Sequence, residues 1–185
     1  MTIMPRYLVE LGWRYLHCLG YAVRVSHPIS IPGRRGKKRL VFVDVLGFGR
    51  DEIVVLECRS IKGVKYVKRH VEKLTSTIRS MIENLRELYG VQRIRPIVLL
   101  DDEEINELER QGLVQLIHRH GIEVLRLSKV IETLIDCGLR ELECREMRGE
   151  GDLILTILAK VGTYLRSRAK QGENSVVEHE QHRYG

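Results

Sequence analysis

Two acidic residues, Asp44 and Glu57, each lie within a strand-like apolar run in the stretch VFVDVLGFGRDEIVVLECRS, residues 41–60. If the turn between the two runs centres near Arg50 and Asp51, Asp44 falls opposite Glu57, with Cβ atoms roughly 5 Å apart. Two carboxylates at that distance repel each other, and burying either one without a partner costs on the order of several kcal/mol. The spacing therefore predicts a positive group between them.

Three kinds of positive group fit this position. Side chains alternate faces along a strand, so Arg59 points the same way as Glu57 and can pair with it. A nearby lysine is the second candidate. The third is a hard divalent cation, which takes oxygen ligands from carboxylates, a backbone carbonyl and water. In the simplest alternative, Asp44 is a strand-end residue and Glu57 pairs with Arg59 or another cation.

Alternating helices and strands must position these residues. Apolar residues recur at helical spacing over residues 6–19 and 64–89, which predicts two helices. Gly20 and Gly90 directly follow them and are expected to terminate them. The pattern predicts strands at 21–27, 40–46, 53–59, 94–100 and 122–127 and a loop at 30–38. It also predicts a helix capped by Asp102 and helices at 128–137 and 152–169.

This order of elements predicts an α/β domain whose first strands are antiparallel and whose later strands are parallel. We expect a main domain over residues 1–138 and a C-terminal helical extension over residues 139–170. Residues 171–185 contain too few apolar side chains to pack and are predicted to be a disordered tail.

Basic residues are concentrated around the predicted hairpin. The formal net charge is +6, with 31 Lys and Arg against 25 Asp and Glu, which makes an anionic partner plausible. Such residues are often only solvated, but beside an acid site they would follow a phosphate backbone, giving sequence-independent and salt-sensitive binding. No base-reading motif is recognisable. The candidate nucleic-acid contacts are Arg34, Arg35, Lys37, Lys38 and Arg39 in the loop, and Lys65, Arg69 and Lys73 on the long helix.

The four cysteines form no CxxC pair, and we expect them to be free thiols in the cytoplasm. No signal peptide is recognisable, and no run approaches the roughly 20 apolar residues of a membrane span. Arginine is much commoner than lysine, while Asn and Gln are rare, a composition compatible with a thermophile.

The order of elements resembles that of the restriction-endonuclease-like, or PD-(D/E)XK, nucleases. It consists of a helix with an acid, two strands of which the second carries Asp, a turn, a strand ending in Glu-x-basic, and a long helix. These nucleases include archaeal Holliday junction resolvases and RecB-type domains, and the resemblance covers residues 6–127. Asp44 matches the motif aspartate, Glu57 matches the acid of E-x-K, and Glu10 matches the acid that many members carry on the first helix.

The resemblance implies a restriction-endonuclease-like three-layer α/β/α fold with a central mixed sheet, here followed by a C-terminal helix. It also implies Mg²⁺ or Mn²⁺ bound by the acids and hydrolysis of nucleic-acid phosphodiester bonds, with DNA as the expected substrate. The candidate metal ligands are Glu10, Asp44, Glu57 and Cys58. The candidate catalytic residues are Asp44, Glu57, Arg59 and Lys62.

Two positions depart from the family pattern. Val43 replaces the motif proline, which is common variation, whereas Arg59 replaces the motif lysine. Arginine keeps a positive charge beside a phosphate, but its high pKa prevents it from acting as a base. Either Lys62 or Lys65 supplies the lysine chemistry, or the domain binds without cutting.

Three functional classes therefore stay open. The expected function is the first, a metal-dependent nuclease, and the alternative is an inactive nucleic-acid-binding or protein-interaction module on the same fold. The third is an α/β domain for a small molecule. The predicted last helix carries an apolar stripe, which includes Leu153, Ile157, Val161 and Tyr164 and must be covered by the domain or by a second copy of the chain. Because many members of the family that the chain resembles are dimers, we expect a homodimer.

Overall fold

The structure is a computed structural model that describes residues 6–33, 37–145, 157 and 160–163, with the backbone alone for residues 141–145. Five strands form one mixed sheet in the order β1-β2-β3-β4-β5. Within it, β1, β2 and β3 are antiparallel neighbours, whereas β4 and β5 join in parallel. The helices and strands are α1 (Arg6–Cys18), β1 (Ala22–Pro32), β2 (Lys38–Phe48), β3 (Ile53–Cys58), α2 (Val67–Tyr89), β4 (Ile94–Leu100), α3 (Asp102–Arg110), α4 (Leu113–Arg119), β5 (Glu123–Arg126) and α5 (Leu127–Arg145).

Helices cover both faces of the sheet. A Cβ added at Gly12 of α1 would lie 2.7 Å from Leu56 and 3.4 Å from Cys58, so α1 packs closely on one face of β3. On the opposite face, Val55 of β3 lies in a core cluster with Met81 of α2. The helices α2, α3 and α4 share a second cluster with β4. The predicted three-layer α/β/α arrangement with a mixed sheet is therefore confirmed.

The register of the β2–β3 hairpin sets the distance between the two acids. Val45 pairs with Leu56 at the end of the ladder. One step further along both strands, Asp44 lies opposite Glu57, as the turn position predicted. Asp44 and Glu57 are 5% and 0% exposed.

The β1–β2 ribbon is distorted where Asp44 lies. Ser26, between the pairs Val25–Val45 and His27–Val43, has a left-handed φ of 53°, which non-glycine residues rarely adopt. Val43 and Leu46 pack in the same core cluster, although strict alternation would place them on opposite faces. The side-chain alternation therefore shifts around Asp44, and residues 43–47 are all buried.

Several predicted boundaries differ from the structure. The loop predicted at 30–38 is shorter than expected, because β1 extends to Pro32 and β2 begins at Lys38. Asp101, not Asp102, is the N-cap of α3, and its carboxylate accepts from Glu103 N–H. A left-handed Gly112 (φ 67°) separates α3 from α4, which the sequence analysis did not distinguish. Gly90, by contrast, caps α2 in the left-handed conformation as predicted.

The chain divides into two compact units, residues 1–130 and 131–185. The predicted boundary at residue 138 falls inside α5. Of the predicted helix at 152–169, residues 157 and 160–163 are described and are helical, whereas the predicted tail at 171–185 lies outside the described residues. Within the described ranges, no helix is both long and apolar enough to cross a membrane.

The cysteines differ from the expectation of free thiols. Cys18 and Cys137 each take part in a disulfide, while Cys58 is a free and buried thiol. The sequence contains no CxxC motif, so it offered no local signal for a disulfide. The predicted cytoplasmic location stays a prediction.

Candidate functional site

The two acids converge at the end of β3 in a network of buried hydrogen bonds. The Asp44 carboxylate (Oδ2) accepts from Cys58 N–H at 2.8 Å. The Glu57 carboxylate (Oε1) accepts from Asp44 N–H at 3.3 Å. Each carboxylate is therefore held by a backbone donor of the neighbouring strand, and both point into one small region.

Arg59 supplies the positive group that the acid pair requires. Its Nη1 donates to Asp44 Oδ2 at 2.6 Å, and its Nη2 donates to Glu57 Oε2. Nη1 also donates to the carbonyl of Cys58 at 2.9 Å. Because the planar guanidinium offers several fixed donors, one side chain reaches both carboxylates. Its side chain is 21% exposed, so it is the outermost member of the cluster.

The electrostatics of the cluster follow from burial. Burial raises the pKa of Glu57 to about 7, opposed by Arg59 and reinforced by the charge of Asp44. Burial also raises the pKa of Asp44, again opposed by Arg59. Burial disfavours the charge of Arg59, but the two carboxylates outweigh it and raise the arginine pKa. Near neutral pH, the raised pKa of Glu57 and the guanidinium of Arg59 therefore both reduce the net negative charge of the cluster.

Two predicted members of the site lie elsewhere. Glu10 projects from the exposed side of α1 and pairs with Arg14, whose hydrogen bond lowers the pKa of Glu10. Lys62 extends towards the start of α3, with its Nζ 3.9 Å from Asp101 and 3.8 Å from Glu103. Arg59 is therefore the cation that contacts the acid pair, and Lys62 makes its ion pairs with other acids.

With Arg59 in place, the acid pair already has a cationic partner and requires no divalent cation for charge compensation. The guanidinium binds one oxygen of Asp44 and one of Glu57, so it occupies part of the candidate ligand set. The Cys58 carbonyl accepts from Arg59 as well, and burial raises the pKa of the Cys58 thiol, which keeps it protonated. Among the residues that the structure describes, no three His, Cys, Asp or Glu side chains are arranged to hold a metal ion together.

A groove of about 860 Å³ runs between the end of the β1–β2 ribbon and α2. Its wall on the ribbon includes Lys37, Lys38 and Arg39, and its wall on α2 includes Arg69 and Lys73. Glu72 is the one acid among its lining residues in the described chain. The full lining is Ile31, Pro32, Gly33, Lys37, Lys38, Arg39, Arg69, Glu72, Lys73, Ser76, Thr77 and Ser80.

The structure brings together five of the eight predicted nucleic-acid contacts in this groove. Lys65 does not line it, because α2 begins at Val67 and Lys65 lies in the preceding turn. The predicted spacing of Lys65 with Arg69 and Lys73 on one helix is therefore wrong for its first member. Arg34 and Arg35 lie outside the described residues.

Sequence reasoning missed two other groups near the site. His70 on α2 has a buried Nε2 without a hydrogen-bond partner in the described chain. Burial, followed by the charges of Arg59 and Lys73, lowers the pKa of His70, so this imidazole lies within electrostatic range of both the acid cluster and the groove. The hydroxyl residues Ser76, Thr77 and Ser80 also line the groove, and their helical spacing with Lys73 was the available signal.

Glu104 is the third missed residue. It is 4% exposed and accepts three hydrogen bonds from residues 60–62, directly after Arg59. No site role was predicted for Glu104. Its spacing of three residues after Asp101 is a local signal for a capping box, but not for its contacts with residues 60–62.

Comparisons with known proteins give no assignment at this stage. No family model matches the sequence, and no curated protein matches it. Among solved structures, the chain is similar to the crystal structure of AF1548, a protein of unknown function, at 12% identity and a TM-score of 0.44. The match covers 90% of this chain and 97% of that chain.

Proposed function

We propose that this protein is a nucleic-acid-binding module, with DNA as its expected ligand, in which Arg59 neutralises an acid pair of the restriction-endonuclease-like type. The groove between the ribbon and α2 carries the proposal. It combines five cationic side chains with three hydroxyl residues and one acid. Lysine, arginine and hydroxyl side chains are the groups that contact phosphate and sugar in protein–DNA complexes.

The chemistry of the groove favours recognition of the nucleic-acid backbone. None of its lining residues is aromatic, so it offers no platform for stacking unpaired bases. Cations on two opposing walls can neutralise phosphates from two sides of a strand. Binding by this surface is expected to be independent of sequence and strongly dependent on salt.

The acid cluster supports a binding role more directly than a cleavage role. A protein that uses these acids for a metal would need Arg59 to leave both carboxylates first. With Arg59 in place, both buried acids are hydrogen-bonded and have an internal counter-ion. The family resemblance, carried by Asp44 and Glu57, then describes a domain that keeps the acid positions of a nuclease and has Arg59 in place of the motif lysine.

Fluorescence anisotropy with a labelled DNA duplex tests the binding proposal. Lys73→Ala should weaken binding and reduce the slope of log K against log salt by about 1, the value for one lost phosphate contact. Lys68→Ala is the matched control, because Lys68 is on the same helix and exposed but does not line the groove. Equal losses in both variants would mean that overall charge, not the groove, binds DNA, and no binding by the unaltered protein would end the proposal.

A second candidate is the Mg²⁺- or Mn²⁺-dependent nuclease. It is favoured by the convergence of two buried carboxylates and by the partial exposure of Arg59, the one member of the cluster that can turn towards solvent. This candidate requires that a divalent cation displaces Arg59. Glu10 has no part in it unless α1 rearranges, because Glu10 is paired on the helix surface.

Calorimetry with Mg²⁺ and Mn²⁺, followed by cleavage of the labelled duplex, separates the two candidates. The nuclease candidate predicts metal binding and cleavage by the unaltered protein, both lost in Asp44→Asn while DNA binding is kept. The binding-module proposal predicts neither metal binding nor cleavage. Under that proposal, Arg59→Lys tests whether Arg59 prevents metal binding. An ammonium contacts fewer oxygens than a guanidinium and would leave a carboxylate oxygen open for a metal, so this variant should gain metal binding in the calorimeter.

The predicted homodimer is a further proposal. Ile157 and Val161, two members of the predicted apolar stripe, are 50% and 46% exposed. Light scattering on the purified chain measures the oligomeric state directly. A monomeric mass at all concentrations would remove this proposal without affecting the others.

A further inference from the structure

The chain leaves the sheet immediately after the acid cluster. Arg59 N–H still donates to Leu99 O at 3.1 Å, but the next three residues have no strand partner. Their polar groups converge instead on one side chain. The hydroxyl of Ser60 and the N–H groups of Ile61 and Lys62 all donate to Glu104 Oε1, at 2.6, 2.8 and 3.0 Å.

Glu104 is well placed to hold this segment. It lies in the first turn of α3, where the helix dipole favours a carboxylate, and it completes a capping box with Asp101. Its second oxygen faces Asp101 N–H at 3.4 Å. Ordinary capping needs only that second contact. The three donors from residues 60–62 are therefore additional to the helix cap and tie α3 to the chain that follows β3.

We propose that Glu104 is a positioning residue that holds Arg59 on Asp44 and Glu57 by fixing the three residues that follow it. The inference rests on the proposed role of Arg59 as the internal counter-ion of the acid pair. Glu104 thereby keeps Arg59 bound to both carboxylates.

The geometry explains why one carboxylate can control Arg59. Ser60 is bonded directly to Arg59, so its position limits the backbone direction from which the arginine side chain starts. Ile61 is 8% exposed and packs in the core cluster of α2, α3 and α4, which gives the segment a second anchor. The fixed backbone at Lys62 also directs its side chain towards Asp101 and away from Glu57.

His70 provides a reporter that is separate from the contacts of Glu104. Its imidazole responds to Arg59 and Lys73, and no hydrogen bond between His70 and Glu104 is present. If Arg59 leaves its position, the depression of the His70 pKa by that charge is relieved. The titration midpoint of His70, measured by NMR, therefore reports whether Arg59 is held in place.

The experiment compares Glu104→Ala with Glu103→Ala in the full chain. Glu103 is the matched control, because it lies in the same turn, carries the same charge and is 84% exposed. Glu104→Ala should move the His70 midpoint upward, as Arg59→Ala does, whereas Glu103→Ala should not. In the double variant Glu104→Ala/Arg59→Ala, the midpoint should equal that of Arg59→Ala alone, because Glu104 acts through Arg59.

Two results would overturn the inference. One is a His70 midpoint in Glu104→Ala equal to that of Glu103→Ala. The other is an additive shift in the double variant, which indicates a general loosening of the fold. If Glu104→Ala does not fold, Glu104→Gln keeps an acceptor oxygen and should give a smaller upward shift, with no shift counting against the inference. These results do not depend on DNA binding, so failure of the binding proposal is recognised separately.

Discussion

Replacing Arg59 with alanine should destabilise the protein strongly above neutral pH. The substitution leaves Asp44 and Glu57, 5% and 0% exposed, without their shared counter-ion. Removing one partner of a buried ion pair typically costs about 3–5 kcal/mol, because the remaining charge is buried without compensation. For a chain of this size, such a loss lowers Tm by about 10 °C.

The loss should depend on pH in a defined direction. The pKa of Glu57 is raised from 4.5 to about 7 in the folded protein, so the folded state binds more protons and stability falls as pH rises through this range. Arg59 opposes that shift, so Arg59→Ala moves the Glu57 pKa higher still. At about pH 5 the buried Glu57 is protonated and the cost of losing Arg59 should be smaller than at about pH 8.

Urea denaturation of the unaltered protein, Arg59→Ala and Arg59→Ala/Glu57→Gln at the two pH values measures the effect. The double variant removes one of the two uncompensated charges and should recover part of the stability at high pH. Arg119→Ala, an exposed arginine at the end of α4, controls for loss of charge alone. If Arg59→Ala is within about 0.5 kcal/mol of the unaltered protein at high pH, the range of ordinary surface changes, Arg59 is not the counter-ion.

Three further predictions address the same region. Glu57→Gln should flatten the fall in unfolding free energy between about pH 4.5 and about pH 7, because the group whose pKa is raised is gone; an unchanged slope in urea titrations would assign it to other groups. Gly12→Ala should cost about 1–3 kcal/mol in the same assay, since its Cβ would lie 2.7 Å from Leu56, while Gly20→Ala meets no atom within 4 Å and separates the steric cost from the cost of a positive φ. Cys58 should resist alkylation in the folded protein, because it is fully buried and its thiol pKa is raised, and rapid labelling without denaturant would show that the site opens.

The sequence predicted the elements because their signals are local. Helical spacing and terminal glycines predicted α1 and α2, and the stop at Gly90 is confirmed by its left-handed φ of 64°. The Gly-containing turn after β2 set the register that places Asp44 opposite Glu57. Alternation along β3 placed Glu57 and Arg59 on one side. Each of these features depends on neighbours within a few residues or across one tight turn.

Signals of the same kind misplaced some boundaries. The prolines and glycines at 30–38 predicted a loop, but pairing between β1 and β2 continues to Pro32 and Lys38 because Ile29 and Ile31 bury their side chains against α2. Tertiary burial outweighed the local preference of these residues for a turn. The start of α2 was also placed too early, at residue 64 instead of Val67, so Lys65 was assigned to the helix.

Only the tertiary structure decided which groups meet. The sequence offered a guanidinium, a lysine and a metal as partners for the acid pair and favoured the metal. The structure places Arg59 on both carboxylates, Lys62 on acids at the start of α3 and Glu10 on the surface of α1. It also formed a groove from two segments about 30 residues apart and used Glu104 to fix residues more than 40 positions away. The physical reason is that a side chain's partner depends on long-range packing, whereas helices, strands and tight turns follow from neighbours along the chain.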